Sequence, residues 1–167
     1  QISGADRAGI LAGTAKNGTV IRNVTVSGYV YSNQDAGGIA AVLCGSGKGT
    51  AAGTQIQQSD GSVIVENCRA EGITMNGAGT DGAVGGIAGK AEKAYLVDNV
   101  VITQNGTSDR IHGKGYIGGI AGIMNQSGIY NSYVNGTIGG NGSRAVGGIV
   151  GKYESGNLIL ARMAGVI

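Results

Sequence analysis

The chain has 167 residues, 41% hydrophobic and 13% charged, with a formal charge of +2. That suffices for one domain with a core, and its singly scattered Lys and Arg make neither the basic stripe of a nucleic-acid binder nor an acidic tail. No apolar run nears the roughly 18 residues that cross a bilayer, and no charged and apolar leader follows Gln1, so no transmembrane helix or signal peptide is visible. Glycine is the outlier, at 35 residues, while Phe, Trp and Pro are absent, which predicts a thin core of stacked aliphatic side chains.

In chain order, one short run returns five times: Ala8-Gly9-Ile10-Leu11-Ala12-Gly13, then 36 to 41, 84 to 89, 117 to 122 and 146 to 151, the third reading Val84-Gly85-Gly86-Ile87-Ala88-Gly89. Measured at the apolar residue after the glycines (Leu11, Ile39, Ile87, Ile120, Ile149), the intervals are 28, 48, 33 and 29 residues. Such spacing is the signature of a solenoid whose coils each bury a face on the next. A trailing run follows each leading one and falls into columns. The first is Ile21, Val65, Val97, Ile129, Leu158; the second Val24, Cys68, Val100, Ser132, Ala161; the third Val26, Ala70, Ile102, Val134, Met163. The last two columns are two residues apart and share a strand face, whereas the first lies three residues earlier and demands a turn between. Val84 and Ile87 are also three apart, so Gly85 and Gly86 are expected to bend the strand until both turn inward.

The first coil, 1 to 35, alternates Val24 and Val26 with Thr25 and Ser27 and is expected to close its strand at Gly28. The second, 36 to 83, carries an insertion from Gly45 to Ser62, read as a polar excursion from one face, with binding as the lesser reading. It should be dispensable for folding, since loop closure costs little. Its Gly47-Lys48-Gly49 lacks the Ser or Thr after Lys that a phosphate loop requires. The third coil, 84 to 116, is expected to bulge from Asn105 through Gly113, while the fourth, 117 to 145, keeps register. The fifth stops at Ile167 straight after its trailing run. Residues 1 to 167 are therefore read as a single module of a longer protein, whose last coil leaves Leu158, Met163 and Ile167 at an open edge.

Asn23, Asn67, Asn99 and Asn131 hold one place in four coils, with Leu160 in the fifth. Asparagine tolerates left-handed backbone, and its amide can bond to the amide one coil away, so this column is read as structural. Cys68 stands where valine stands in other coils and reads as a small buried hydrophobe. A disulfide to Cys44 is the weaker reading, because one pair flanking one loop makes no framework. With helical spacing poor throughout, the chain is predicted to be all-β: a right-handed parallel β-helix (β-solenoid) of about five coils, right-handed because parallel crossovers almost always are.

Gly118-Gly119-Ile120-Ala121-Gly122 followed by Ile129-x-Asn131-Ser132-x-Val134-x-Gly136 resembles the GLUG repeat of large bacterial surface proteins. That repeat is found in adhesin-like proteins and in the amino-terminal regions of immunoglobulin-A-cleaving zinc metallopeptidases. The resemblance covers nearly the whole chain. It implies a secreted or cell-wall-attached bacterial protein and a module outside any catalytic domain, so a parent zinc metallopeptidase would carry its chemistry elsewhere. Ala8-Gly9-Ile10 and the missing fifth asparagine depart from the pattern, as terminal coils do.

His112 is the only histidine, without His-Glu-x-x-His or paired Cys-x-x-Cys spacing, so no catalytic residue, metal site or cofactor is expected. A polysaccharide lyase-like β-helix enzyme would need clustered acids and a base. Glu66 and Asp98, each placed one residue before the asparagine column, come nearest, but Arg22 and Tyr130 share that column and make it mixed solvated surface. The leading expectation is a non-catalytic stalk or adhesion module that spaces or presents neighbouring domains. The second is a carbohydrate- or glycoprotein-binding module, with a host glycan or glycoprotein as partner, using exposed residues among Tyr29, Tyr31, Tyr95, Tyr116, Tyr130, Tyr133 and Tyr153. Three or more on one exposed face would speak for it.

Overall fold

In the computed structural model, which describes residues 1–47, 61–103 and 110–167, the regular elements are all β-strands, paired in parallel. The chain winds through three sheets in turn and makes a β-solenoid of about five coils. The leading runs form sheet 2, stacked in chain order as Ala12–Lys16, Ala40–Cys44, Ala88–Glu92, Ala121–Asn125 and Val150–Tyr153. Sheet 3 stacks Val20–Arg22, Val63–Glu66, Ala94–Val97, Ser127–Tyr130 and Gly156–Ile159 in the same order. Sheet 1, with ten strands, takes the rest of each trailing run and the approach to the next pair of glycines. Its longest strand, Thr25–Gly37, pairs with Arg69–Gly77 along one half and with Ala83–Gly85 along the other.

The bend between sheets 1 and 2 is the double-glycine turn. Val84 and Ile87 both point into the core, at 1% and 0% exposure. Around the corner the backbone ladder continues, the Gly86 and Ile87 amides donating to the Gly119 and Ile120 carbonyls at 3.1 and 3.0 Å. A Cβ on Gly86 would strike the Gly119 carbonyl oxygen and the Val101 methyls, so the close approach of successive coils requires glycine there. Ile39, Ile87 and Ile120 form the expected inward stack, fully buried, with Ile149 partly buried above them. Leu11 does not join it: it is 49% exposed, and Ile10, standing where the other coils have their second glycine, packs on the core instead.

The trailing columns differ from the sequence expectation in coil 3, by one residue. Leu96, not Val97, pairs with Val65 and Ile129, while Val97 sits between Glu66 and Tyr130 on the outer face. Likewise Asn99 replaces Val100 in the second column, and Val101 replaces Ile102 beside Ala70 and Val134. The physical cause is the corner between sheets 3 and 1. Asn23, Asn67, Asp98, Asn131 and Leu160 occupy it, with φ of 57, 51, 54, 44 and 54°. Aspartate tolerates this left-handed conformation as asparagine does, so Asp98 rather than Asn99 turns the corner. The side-chain ladder runs in pairs, Asn67 donating to Asn23 at 2.7 Å and Asn131 donating to Asp98 at 2.6 Å.

Asn99 is thereby turned into the core, with no exposed surface. Its Oδ1 accepts the Cys68 amide at 3.0 Å, its Nδ2 donates to the Val65 carbonyl at 2.9 Å, and its own amide donates to Ser132 Oγ at 3.3 Å. A buried amide satisfied on both sides clamps three coils together, whereas an unpaired one would cost about 1–3 kcal/mol.

Three further expectations change. The first-coil strand does not close at Gly28; that residue, at φ 128°, follows a shift of register and the strand runs on to Gly37. Arg110–Gly113 is not part of a bulge but a strand of sheet 1 with Ile111 fully buried, because Ile111 lies in register with Met75 and Ile138. Asn105 to Asp109 lie outside the described residues. So do residues 48 to 60 of the insertion, and with them Lys48 and Gly49. At its mouth the coil is closed, the Ser46 amide donating to the Gly61 carbonyl at 3.0 Å and the Gly45 amide to Glu92 at 2.9 Å. Cys44 and Cys68 are free thiols; Cys68 is buried, which pushes its thiol pKa up.

Candidate functional site

The outer face of sheet 1 carries a groove of about 410 Å³. Its floor follows from strand alternation. Inward Val30, Met75, Ile111 and Ile138 hold the strands on the core, so the residues that follow them, Tyr31, Asn76, His112 and Gly139, face outward in one row across coils 1 to 4. Arg110 stands two residues before His112 and shares its face. One residue after the row, the strands of coils 2 to 4 reach Gly77, Gly113 and Gly140. A Cβ on Gly113 would come within 2.6 Å of the Gly77 carbonyl oxygen and 3.2 Å of a Val84 methyl, so the close approach of coils 2 and 3 there requires glycine. Lys114 and Asn141, exposed in the turns beyond, complete the rim.

The groove is cationic. Arg110, His112 and Lys114 all line it, with no carboxylate among the described residues of the lining. The ion pairs among the described residues are Arg22–Glu66, Arg69–Glu71, Lys90–Asp35, Arg144–Asp81 and Lys152–Glu154, so Arg110 and Lys114 take no part in them. Burial, and then the Arg110 charge, pulls the His112 pKa below its ordinary value and favours the neutral imidazole. A neutral ring offers one donor and one acceptor nitrogen, suited to hydroxyl groups.

The tyrosines do not gather into an exposed patch of three. Tyr29 and Tyr31 share the outer face of coil 1, and Tyr31 lines the groove. Tyr133 lies on the same sheet but opposite Val100, toward the far end of the strands. Tyr95 and Tyr130 are buried against each other on sheet 3, ring centroids 6.5 Å apart, with Ile64 and Val97. Tyr116 lies under the Lys152 ammonium at 5.3 Å, and Tyr153 is exposed near the end of sheet 2.

Glu66 and Asp98 do not form an acid pair. Glu66 pairs with Arg22 across coils 1 and 2, and Asp98 holds its corner. Asp35 is the deeply buried acid of an ion pair, its side chain 3% exposed; it accepts the Ala83 amide and the Lys90 ammonium, both at 3.0 Å. Those bonds tie consecutive coils and leave no face toward a ligand. Among the described residues no three of His, Cys, Asp and Glu come together as metal ligands, and no helix is long and apolar enough to cross a membrane. The sequence reading missed Arg110 and Lys114. Its one available signal was the cation-rich run Arg110-Ile111-His112-Gly113-Lys114, whose outward members alternate as on a strand. No family model, curated protein or solved structure matches this chain.

Proposed function

We propose that the chain is a non-catalytic stalk or adhesion module of a secreted or cell-wall-attached bacterial protein, holding neighbouring domains at a set spacing. One observation carries this reading: sheets 2 and 3 each run from the first coil to the fifth in strict chain order, so the backbone ladders follow one axis. Such stacking makes a rod whose length is set by coil number and whose outer face is free to vary. The resemblance to GLUG repeats supports the surface location, and it implies that any peptidase chemistry of a parent protein would lie in another domain.

Spin labels on unnatural side chains at Lys16 and Glu154 test it. These exposed residues share a column in coils 1 and 5, four spacings or roughly 19 Å apart along the axis. A narrow distance distribution near that value, widened only by the label arms, is expected. A broad distribution would sink the reading, because a module that flexes cannot hold neighbours at a set distance. A second reading, that the solenoid binds a glycan or glycoprotein, is favoured by the groove beside Tyr31.

A further inference from the structure

Four coils contribute to the groove: Tyr31 from the first, Asn76 from the second, Arg110, His112 and Lys114 from the third, and Asn141 from the fourth. Three coil spacings of about 4.8 Å make it roughly 14 Å long, elongated along the solenoid axis rather than compact. Its chemistry is mixed. Tyr31 offers an aromatic face, Asn76 and Asn141 offer planar amides that both donate and accept, and half-buried His112 offers a neutral ring. Two cations, Arg110 and Lys114, line the same groove. Two like charges beside a half-buried ring, with no acid among the described residues of the lining, leave an unfavourable field that an anion in the groove would relieve.

We infer that this groove binds a short carboxylate-bearing saccharide chain, its acid group held by Arg110 and Lys114 and its hydroxyls by Asn76, His112 and Asn141. The inference rests on the glycan-binding reading above and adds the charge class of the ligand. A guanidinium takes a carboxylate through two parallel N–H donors, which gives orientation as well as attraction. Stacking on Tyr31 suits a sugar ring, whose apolar face a simple anion lacks. The length suits an oligomer, which a lone phosphate or sulfate does not fill.

The test titrates the chain with trigalacturonate, its neutral trigalactoside counterpart, hexaglutamate and inorganic phosphate, read by tyrosine fluorescence and by calorimetry at low and moderate salt. Arg110→Gln and Lys114→Gln are suitable variants because both side chains are exposed, and far-ultraviolet circular dichroism checks that each folds. Trigalacturonate is expected to bind at least about tenfold tighter than the trigalactoside, with the margin shrinking in salt and falling about tenfold in R110Q. Tyr31→Ala should weaken both saccharides. Equal binding of the two, unmoved by R110Q, overturns the acid selectivity while glycan binding stands. Binding of neither saccharide removes both readings. Hexaglutamate binding as tightly as trigalacturonate assigns the groove to acidic peptide, and phosphate binding as tightly makes it a simple anion site; either outcome overturns the saccharide.

Discussion

Coils 4 and 5 carry nearly the same leading run, Ile117-Gly118-Gly119-Ile120 and Val146-Gly147-Gly148-Ile149, yet the two are buried differently. Ile117 and Ile120 are fully buried, whereas Val146 and Ile149 are only partly so. In the trailing runs Ile129 is fully buried while Leu158 in the same column is 44% exposed, and Leu160 and Ile167 reach 63% and 67%. The motif therefore places a side chain on the inward face, and the coil stacked on either side does the burying. Removing an apolar side chain from water contributes about 1.5–3 kcal/mol when burial is complete, so one motif is worth less at an end than in the middle.

The sharpest way to break that contrast is to empty the same column in both coils. Ile120→Ala should cost about 4 kcal/mol and Ile149→Ala about half of that, because a cavity between two coils cannot collapse as an open edge can. Urea denaturation of both variants gives the ratio; equal losses would mean that the end coil is packed as tightly as the middle. The glycines give the next effect. Gly86→Ala places a methyl against the Gly119 carbonyl and Val101, both fixed by the next coil, and should cost about 3 kcal/mol. At Gly148 the new methyl meets chiefly the Met163 thioether, which can swing away, so Gly148→Ala should cost less than about 1 kcal/mol. Thermal melts showing the same shift for both would refute the claim that backbone proximity, rather than glycine itself, sets the cost.

The last effect is small and has the opposite sign. Leu160 is 63% exposed and holds φ 54°, a left-handed corner that the other four coils give to Asn or Asp. Leu160→Gly should stabilise the chain by about 1 kcal/mol, since glycine carries no Cβ penalty there. A destabilised variant would show that the leucine side chain holds the last coil in place despite its exposure.

Coil 3 shows how far the sequence could be read. Residue identity aligns Asn99 with Asn23, Asn67 and Asn131, and that alignment runs the apolar columns through Val97, Val100 and Ile102. Since both Asp98 and Asn99 can turn a corner, the choice belonged to packing. With Asp98 at the corner, Leu96 and Val101 face the core and Asn99 finds partners on Cys68 and Val65. The other register would leave Val97, Val100 and Ile102 to fill those places and turn the larger Leu96 outward. The groove was less legible still. The seven tyrosines are plain in the sequence, but alternation alone does not say which join sheet 3's outer cluster, which lies under a lysine, and which stands in a groove with Arg110.

What the sequence determined by itself was everything that repeats. Five leading and trailing runs, glycines where coils touch and three-residue steps that demand corners are periodic facts, and a solenoid is the structure in which each period buries the one before it. The tertiary structure decided what depends on neighbours across coils. It chose the corner residue where two candidates adjoined, and it left the terminal columns exposed. It also brought Tyr31, Asn76, His112 and Asn141 into one groove although each lies on a different coil. Parallel stacking alone makes residues a whole coil apart in sequence into lateral neighbours a few ångströms apart, and only the stacked register says which ones meet.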